Sequence, residues 1–154
     1  MSILSFFNRR KDFFTVEEKQ QIVNAVRNAE RMTSGEVRVF VESKCSYMDA
    51  LDRAAELFFH FKMNETKERN AVILYVAMED KQLAIFADKG IHQKVDADFW
   101  NREVKKMISN FDKSDYAKGI SEVVTDIGEV LENNFPFDRE KDKNELPDEM
   151  IFGK

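Results

Sequence analysis

The chain of 154 residues carries a single cysteine, Cys45, so no internal disulfide forms and nothing calls for an oxidising compartment. Glycine and proline are scarce, at 5 and 2, which argues against disorder and long loops. The glycines, at positions 35, 90, 119, 128 and 153, are too scattered for a phosphate-cradling loop. The only histidines, His60 and His92, lack the spacing that places two imidazoles on one helical face, so a zinc site is disfavoured. There is no Gly-x-Ser-x-Gly elbow, and no apolar run approaches the ~20 residues that span a bilayer. With 24 basic and 29 acidic residues and a net charge of −5, the chain has no broad basic surface for nucleic acid. At the N-terminus the charges of Arg9, Arg10 and Lys11 follow the apolar stretch from Ile3 to Phe7, which is too short for a signal segment. A cytoplasmic location is therefore the expectation. Phe6, Phe7, Phe13 and Phe14 flank the basic cluster and leave room for weak membrane contact, although packing against the body is favoured.

What the chain does have is 14 phenylalanines and well-marked periodic segments. Thr15-Val16-Glu17-Glu18 has the capping-box pattern of a helix start, and Ile22, Val26 and Ala29, with Val23 beside them, recur at helical spacing until Thr33-Ser34-Gly35. From Glu36 to Glu42 the period changes to two. Val37, Val39 and Val41 fall on one face and Glu36, Arg38, Phe40 and Glu42 on the other, which predicts a half-buried strand. Leu51, Ala54, Ala55, Phe58 and Phe61 form the next helical stripe. The run Ala71 to Ala77 suits a strand covered on both faces. It is followed by a turn from Met78 to Gln82 and a second run, Leu83 to Ala87.

Strand, helix and strand imply a parallel crossover, and the short turn adds an antiparallel neighbour, so the sheet is expected to be mixed. Two more helices follow, one carrying Trp100, Val104, Met107, Ile108 and Phe111, the other Tyr116, Ile120, Val123, Val124, Ile127, Val130 and Leu131. The whole, residues 1–154, reads as a single domain with its core at about 15–135 and a charged tail over 136–154.

Asp88, Asp96 and Asp98 lie close together around a glycine turn, where carboxylate oxygens can converge on a hard cation such as calcium or magnesium. The plainer alternative is structural: Asp96 or Asp98 caps the helix that carries Trp100, and Asp88 holds a turn. Arg38 and Arg69 carry planar forks suited to a carboxylate or phosphate, although a solvent-facing charge or a pair with Glu36 is the simpler expectation for Arg38. His60, among phenylalanines, is expected at the core or its edge.

Thr33-Ser34-Gly35-Glu36-Val37-Arg38-Val39, Thr66 with Arg69-Asn70-Ala71-Val72-Ile73-Leu74-Tyr75, Asp88-Lys89-Gly90-Ile91, Phe99-Trp100 and the closing Asn144-Glu145-Leu146-Pro147-Asp148-Glu149 resemble a short member of the TPM-domain family. The resemblance implies a three-layer α/β/α sandwich with a central mixed sheet. It also implies a shallow acidic groove that in some members binds calcium or magnesium. Some plant relatives are described as acid phosphatases, and others assist membrane complexes. Where relatives often have Gly-x-Gly after the last hairpin strand, this chain has Asp88-Lys89-Gly90.

An antiparallel third strand ends beside the start of the second, which brings Asp88 and Gly90 near Arg69 and Asn70. The opposite edge offers Glu42, Glu79 and Asp80 at the carboxyl ends of the parallel strands, where open α/β sheets bind ligands. The leading expectation is a non-enzymatic binding or adaptor domain that takes up a divalent cation weakly through Asp88, Asp96 or Asp98 and serves an unidentified protein partner. The alternatives are a metal-dependent phosphatase, with Arg38 or Arg69 steadying the phosphoryl charge, and a purely structural interaction module.

Overall fold

The structure, a computed structural model, describes residues 13–137 and, as backbone only, residues 151 and 152. The expectations for Phe6, Phe7 and the charged run 138–148 lie outside the described residues. Thr15 forms the capping box: its hydroxyl accepts from the Glu18 amide at 3.1 Å and the Glu18 carboxylate accepts from the Thr15 amide at 2.9 Å. Helix α1 follows over Val16–Arg31 and buries Ile22, Val26 and Ala29. Phe14 is buried in the same core, with Phe13 packed against it.

Strand β1, Glu36–Glu42, leads through α2, Ala50–His60, and a single 3₁₀ turn, Met63–Glu65, to β2, Ala71–Ala77. Strand β2 pairs in parallel with β1 and antiparallel with β3, Gln82–Ala87, and Lys81 adopts the left-handed conformation in the connecting turn, with φ 51°. A short helix α3, Lys89–His92, precedes α4, Ala97–Asp112, and α5, Tyr116–Asn134. The mixed sheet has the order β3-β2-β1-β4, where β4 is Ile151–Phe152 in parallel register with Phe40 and Val41. These two residues fall within the expected charged tail. Their pairing gives backbone groups on the outer edge of buried β1 a partner.

Successive side chains of the strands point into two separate cores. Val37, Val39, Val41, Val72, Leu74, Val76 and Ile85 meet α1, α4 and α5, whereas Phe40, Ile73, Tyr75 and Ala84 meet α2. Helices therefore cover both faces of the sheet. This corrects the expectation for β1: all seven residues are buried, and no face meets water. The charged side chains Glu36, Arg38 and Glu42 lie under α2 and the segment that follows it, with the Arg38 guanidinium 5.1 Å from the centre of the Phe61 ring. Arg38 is thus not a solvent-facing charge.

Two helical stripes also differ from the sequence pattern. In α2 the buried line is Ala50, Ala54, Leu57 and Phe58, while Leu51 is exposed and Ala55 half-buried. His60 is exposed, like its neighbour Phe59, while Leu57 and Phe58 are buried. In α4 the buried line is Trp100, Glu103, Met107 and Phe111, and Ile108 faces outward.

Thr33 joins the last helix to the first strand. Its hydroxyl donates to the carbonyl oxygens of Leu131, at 3.1 Å, and Phe135, which closes the α5 C-terminus. It also accepts from the Gly35 amide at 3.0 Å. Helices α1 and α5 approach closely at Ala29 and Gly128: a Cβ on Gly128 would stand 2.6 Å from the Ala29 Cβ and 2.9 Å from its Cα. Gly128→Ala gains up to ~1 kcal/mol of helix propensity but is expected to lose ~1 to 3 kcal/mol to overpacking. Thermal unfolding should show a net fall in Tm of a few degrees. A raised Tm would mean that the contact does not set the helix spacing.

Candidate functional site

The hairpin exit brings together the two groups expected there. Thr66 shapes the approach: its carbonyl accepts from the Arg69 amide at 3.2 Å and its hydroxyl from the Asn70 amide at 3.1 Å. Arg69 takes a left-handed backbone, φ 52°, which costs a non-glycine residue about 1 kcal/mol or more. Its guanidinium then grips Asp88 at two points, Nε to Oδ2 at 2.6 Å and Nη2 to Oδ1 at 2.9 Å. Such a paired, charge-assisted contact sets geometry as well as energy. Asp88 Oδ1 also accepts from the Lys89 amide at 2.8 Å, so the carboxylate caps α3 and ends the strand at once. Asp88 is 4% exposed and the Arg69 side chain 31%.

Gly90 closes the same corner. Its amide donates to the Arg69 carbonyl at 3.0 Å, and a Cβ there would stand 2.1 Å from the Glu68 carbonyl oxygen and 2.7 Å from that of Arg69. Beside it, Ser34 donates to Glu68 at 2.7 Å and accepts from the Asn70 amide nitrogen at 3.1 Å. Asn70 itself is buried, and its side-chain oxygen finds no hydrogen-bond partner among the described residues.

Asp96 and Asp98 stand at a different place, the start of α4. Asp96 caps that helix by accepting from the Asp98 amide at 3.1 Å, and both residues are exposed. Among the described residues, no three histidine, cysteine, aspartate or glutamate side chains converge as a metal-holding group. The helix N-terminus also carries partial positive charge, which favours anions over cations at Asp96 and Asp98.

At the opposite edge Glu42 is held between two elements. Arg53 of α2 donates to it from Nε at 2.9 Å and Nη2 at 3.2 Å, and the Tyr75 hydroxyl donates at 2.5 Å. Burial first, then the Glu42 hydrogen bond, raises the Tyr75 hydroxyl well above its ordinary pKa. The Glu42 hydrogen bond does the same for Arg53. Asp80 Oδ2 accepts from the Cys45 amide at 2.8 Å, which pins the β1–α2 loop to the hairpin turn. Glu79 is exposed, and its amide donates to the Ser43 carbonyl at 2.8 Å.

The chain matches the model of the TPM domain over residues 7–130. It belongs to the TPM-domain family. The TPM fold is shared with the BA42 protein of the psychrophilic bacterium Bizionia argentinensis, at 38% identity and a TM-score of 0.85 over 93% of this chain and 97% of that one. An N-terminal domain from P. gingivalis is similar at a TM-score of 0.68 and 17% identity, over 80% of this chain and 79% of that one. The N-terminal domain of the cg2496 protein of Corynebacterium glutamicum gives 0.57 and 12%, over 77% and 74%. These two likenesses bear on the fold alone. No curated protein matches the chain. No helix among the described residues is long and apolar enough to cross a membrane.

One ionisable group of the TPM domain went unmarked in the sequence. Glu103 occupies a core position of α4 and is 7% exposed, with Oε1 lacking a hydrogen-bond partner among the described residues. Burial, then the nearby Asp126 carboxylate, pushes its pKa up to about 7. The available signal was a glutamate at the three-residue step from Trp100, in the line Trp100, Glu103, Met107, Phe111 that an amphipathic helix fills with apolar groups.

At the hairpin exit, Asp88→Asn preserves an oxygen for the α3 cap and loses the charge that Arg69 grips, whereas Asp88→Ala loses both. Removing the cap alone costs ~1 kcal/mol, so chemical denaturation should rank the variants wild type, Asn, Ala in falling stability. Gly90→Ala forces backbone apart and is expected to cost ~3 kcal/mol or more. Equal midpoints for all four proteins would show that this corner contributes nothing to stability.

Proposed function

We propose that this TPM domain is a non-enzymatic binding domain, with a divalent cation as a weak ligand. The observation that supports this reading most is the mutual engagement of polar groups at both ends of the sheet. Asp88 is occupied by Arg69 and by the Lys89 amide, Glu42 by Arg53 and Tyr75, and Asp80 by the Cys45 amide. A catalytic acid, base or nucleophile works from a position within hydrogen-bonding reach of its substrate. Here the strongest candidates are spent on holding the fold.

A calcium or magnesium ion in this reading sits on the exposed oxygens of Asp96 and Asp98. It recruits Asp88 only by displacing the Arg69 guanidinium, and it works against the α4 N-terminus. Few carboxylates and a competing cation place the affinity near the weak end of calcium sites, ~10⁻⁴ to 10⁻³ M.

Titration with calcium and, separately, magnesium, followed by amide NMR, should move residues 88 to 98 with a millimolar midpoint. Asp96→Asn combined with Asp98→Asn should abolish those shifts. Purified protein should hydrolyse p-nitrophenyl phosphate no faster than the Asp88→Asn variant. The absence of shifts at 10 mM removes the cation and leaves an interaction module; turnover that Asp88→Asn abolishes replaces the reading with a phosphatase.

A further inference from the structure

Helix α4 is held to the body by an apolar line with one carboxylate in its middle. Glu103 lies between Trp100 and Met107 on the buried side, with Asp126 of α5 opposite. Asp126 is already engaged, accepting from the Lys106 ammonium at 2.6 Å. Arg102 and Lys106 on α4 favour the charged form of Glu103, while burial and Asp126 oppose it. Glu122 of α5 adds negative charge near Lys106. Strand β3, which also meets α4, contributes no charged group between Gln82 and Ala87. Alongside, an open groove of about 450 Å³ is lined by Lys106, Lys118, Ser121, Glu122 and Asp126, with Gln21 from α1. The Ser121 hydroxyl beneath it is buried and has no hydrogen-bond partner among the described residues. One ammonium thus serves two facing carboxyl groups.

We propose that Glu103 and Asp126 act as a proton-dependent latch between α4 and α5: one proton held at the pair keeps the helices docked, and its release to solvent loosens α4. With the proton in place, the pair and Lys106 carry one negative and one positive charge. Without it, a second negative charge stands in the apolar seam, and opening the seam lets water solvate it. The sign follows from linkage. Glu103 is raised from 4.5 to about 7 when docked, so the docked state holds the extra proton between those values. Docking is strongest at the acid end of that window, weakens as pH rises through it, and levels off above about pH 7.

The single tryptophan, Trp100, lies one turn from Glu103 on the same helix and reports the change directly. In wild type, α4 amide exchange corrected for its intrinsic pH dependence should be ~10-fold faster at pH 8.5 than at pH 6, taking an ordinary glutamate pKa for the open state. Acrylamide quenching of Trp100 should rise over the same interval. Glu103→Gln, of equal size and without charge, should hold the low-pH behaviour throughout. Side-chain carboxyl NMR of wild type should place the Glu103 midpoint near neutrality, and Asp126→Asn should lower it. A Glu103 midpoint near 4.5, or the same pH response in Glu103→Gln, overturns the latch, and the NMR midpoint decides the matter even if a variant fails to fold.

Discussion

The central parallel pair of strands is buried on both faces, and most of the polar architecture follows from that constraint. Strand β1 carries Glu36, Arg38 and Glu42 inward. A charge in an apolar interior is tolerated only when another group meets it, because the cost of removing it from water is several kcal/mol. Glu42 is met by Arg53 and Tyr75, and Arg38 lies against the Phe61 ring. Helix α2 is therefore held by charge as well as by its apolar line: Arg53 must face Glu42, and this sets the rotation of the helix. The Arg53 guanidinium also lies 5.9 Å from the Phe40 ring centre, which ties the same residue to the neighbouring strand position.

Much of this was visible in the amino-acid pattern, and the failures share a cause. Helix starts at Thr15 and Asp96, the hairpin and its meeting with Arg69 all depend on local capping or on strand geometry, which short windows of sequence express. The exposure of β1 does not. Alternating charged residues look like a solvent face until Arg53, eleven residues on from Glu42 in the next helix, supplies a partner. Likewise apolar periodicity draws the line of α4 through Val104, which packs partly buried against the core, and through Ile108, which faces outward, when the buried step passes through Glu103. Apolar periodicity finds the core only where the core is apolar. The two-residue strand at Ile151 depends on the free edge of β1, a tertiary fact with no local signature.

Membership of the TPM family and the fold agree with one another. Of the acids singled out in the sequence, Asp88 ends β3 and caps α3, Asp96 caps α4, and Asp80 fastens a loop to a turn. Their placement is thus accounted for by backbone amides that need an acceptor. The acid with the most perturbed environment is elsewhere: Glu103, on the buried line of α4 between Trp100 and Met107, with Asp126 of α5 opposite. The two locations separate any ligand chemistry at the sheet end from proton chemistry in the helical layer.

The hairpin begins and ends at the same spot. Arg69 grips Asp88 where the strand leaves, its carbonyl accepts from Gly90, and the Asp88 amide returns to the Ala71 carbonyl at 3.0 Å. Residues 69–90 thus form a loop tied at its neck, with the β2–β3 ladder zipped inside it. A closed neck makes the segment a cassette. Its far end, the turn around Lys81, is fastened to the β1–α2 loop through Asp80 and the Glu79 amide, so a graft there fits only where it keeps both bonds. The neck admits no such change: residue 90 has no room for a side chain, so any exchange of this segment between relatives has to carry Arg69, Asp88 and Gly90 together.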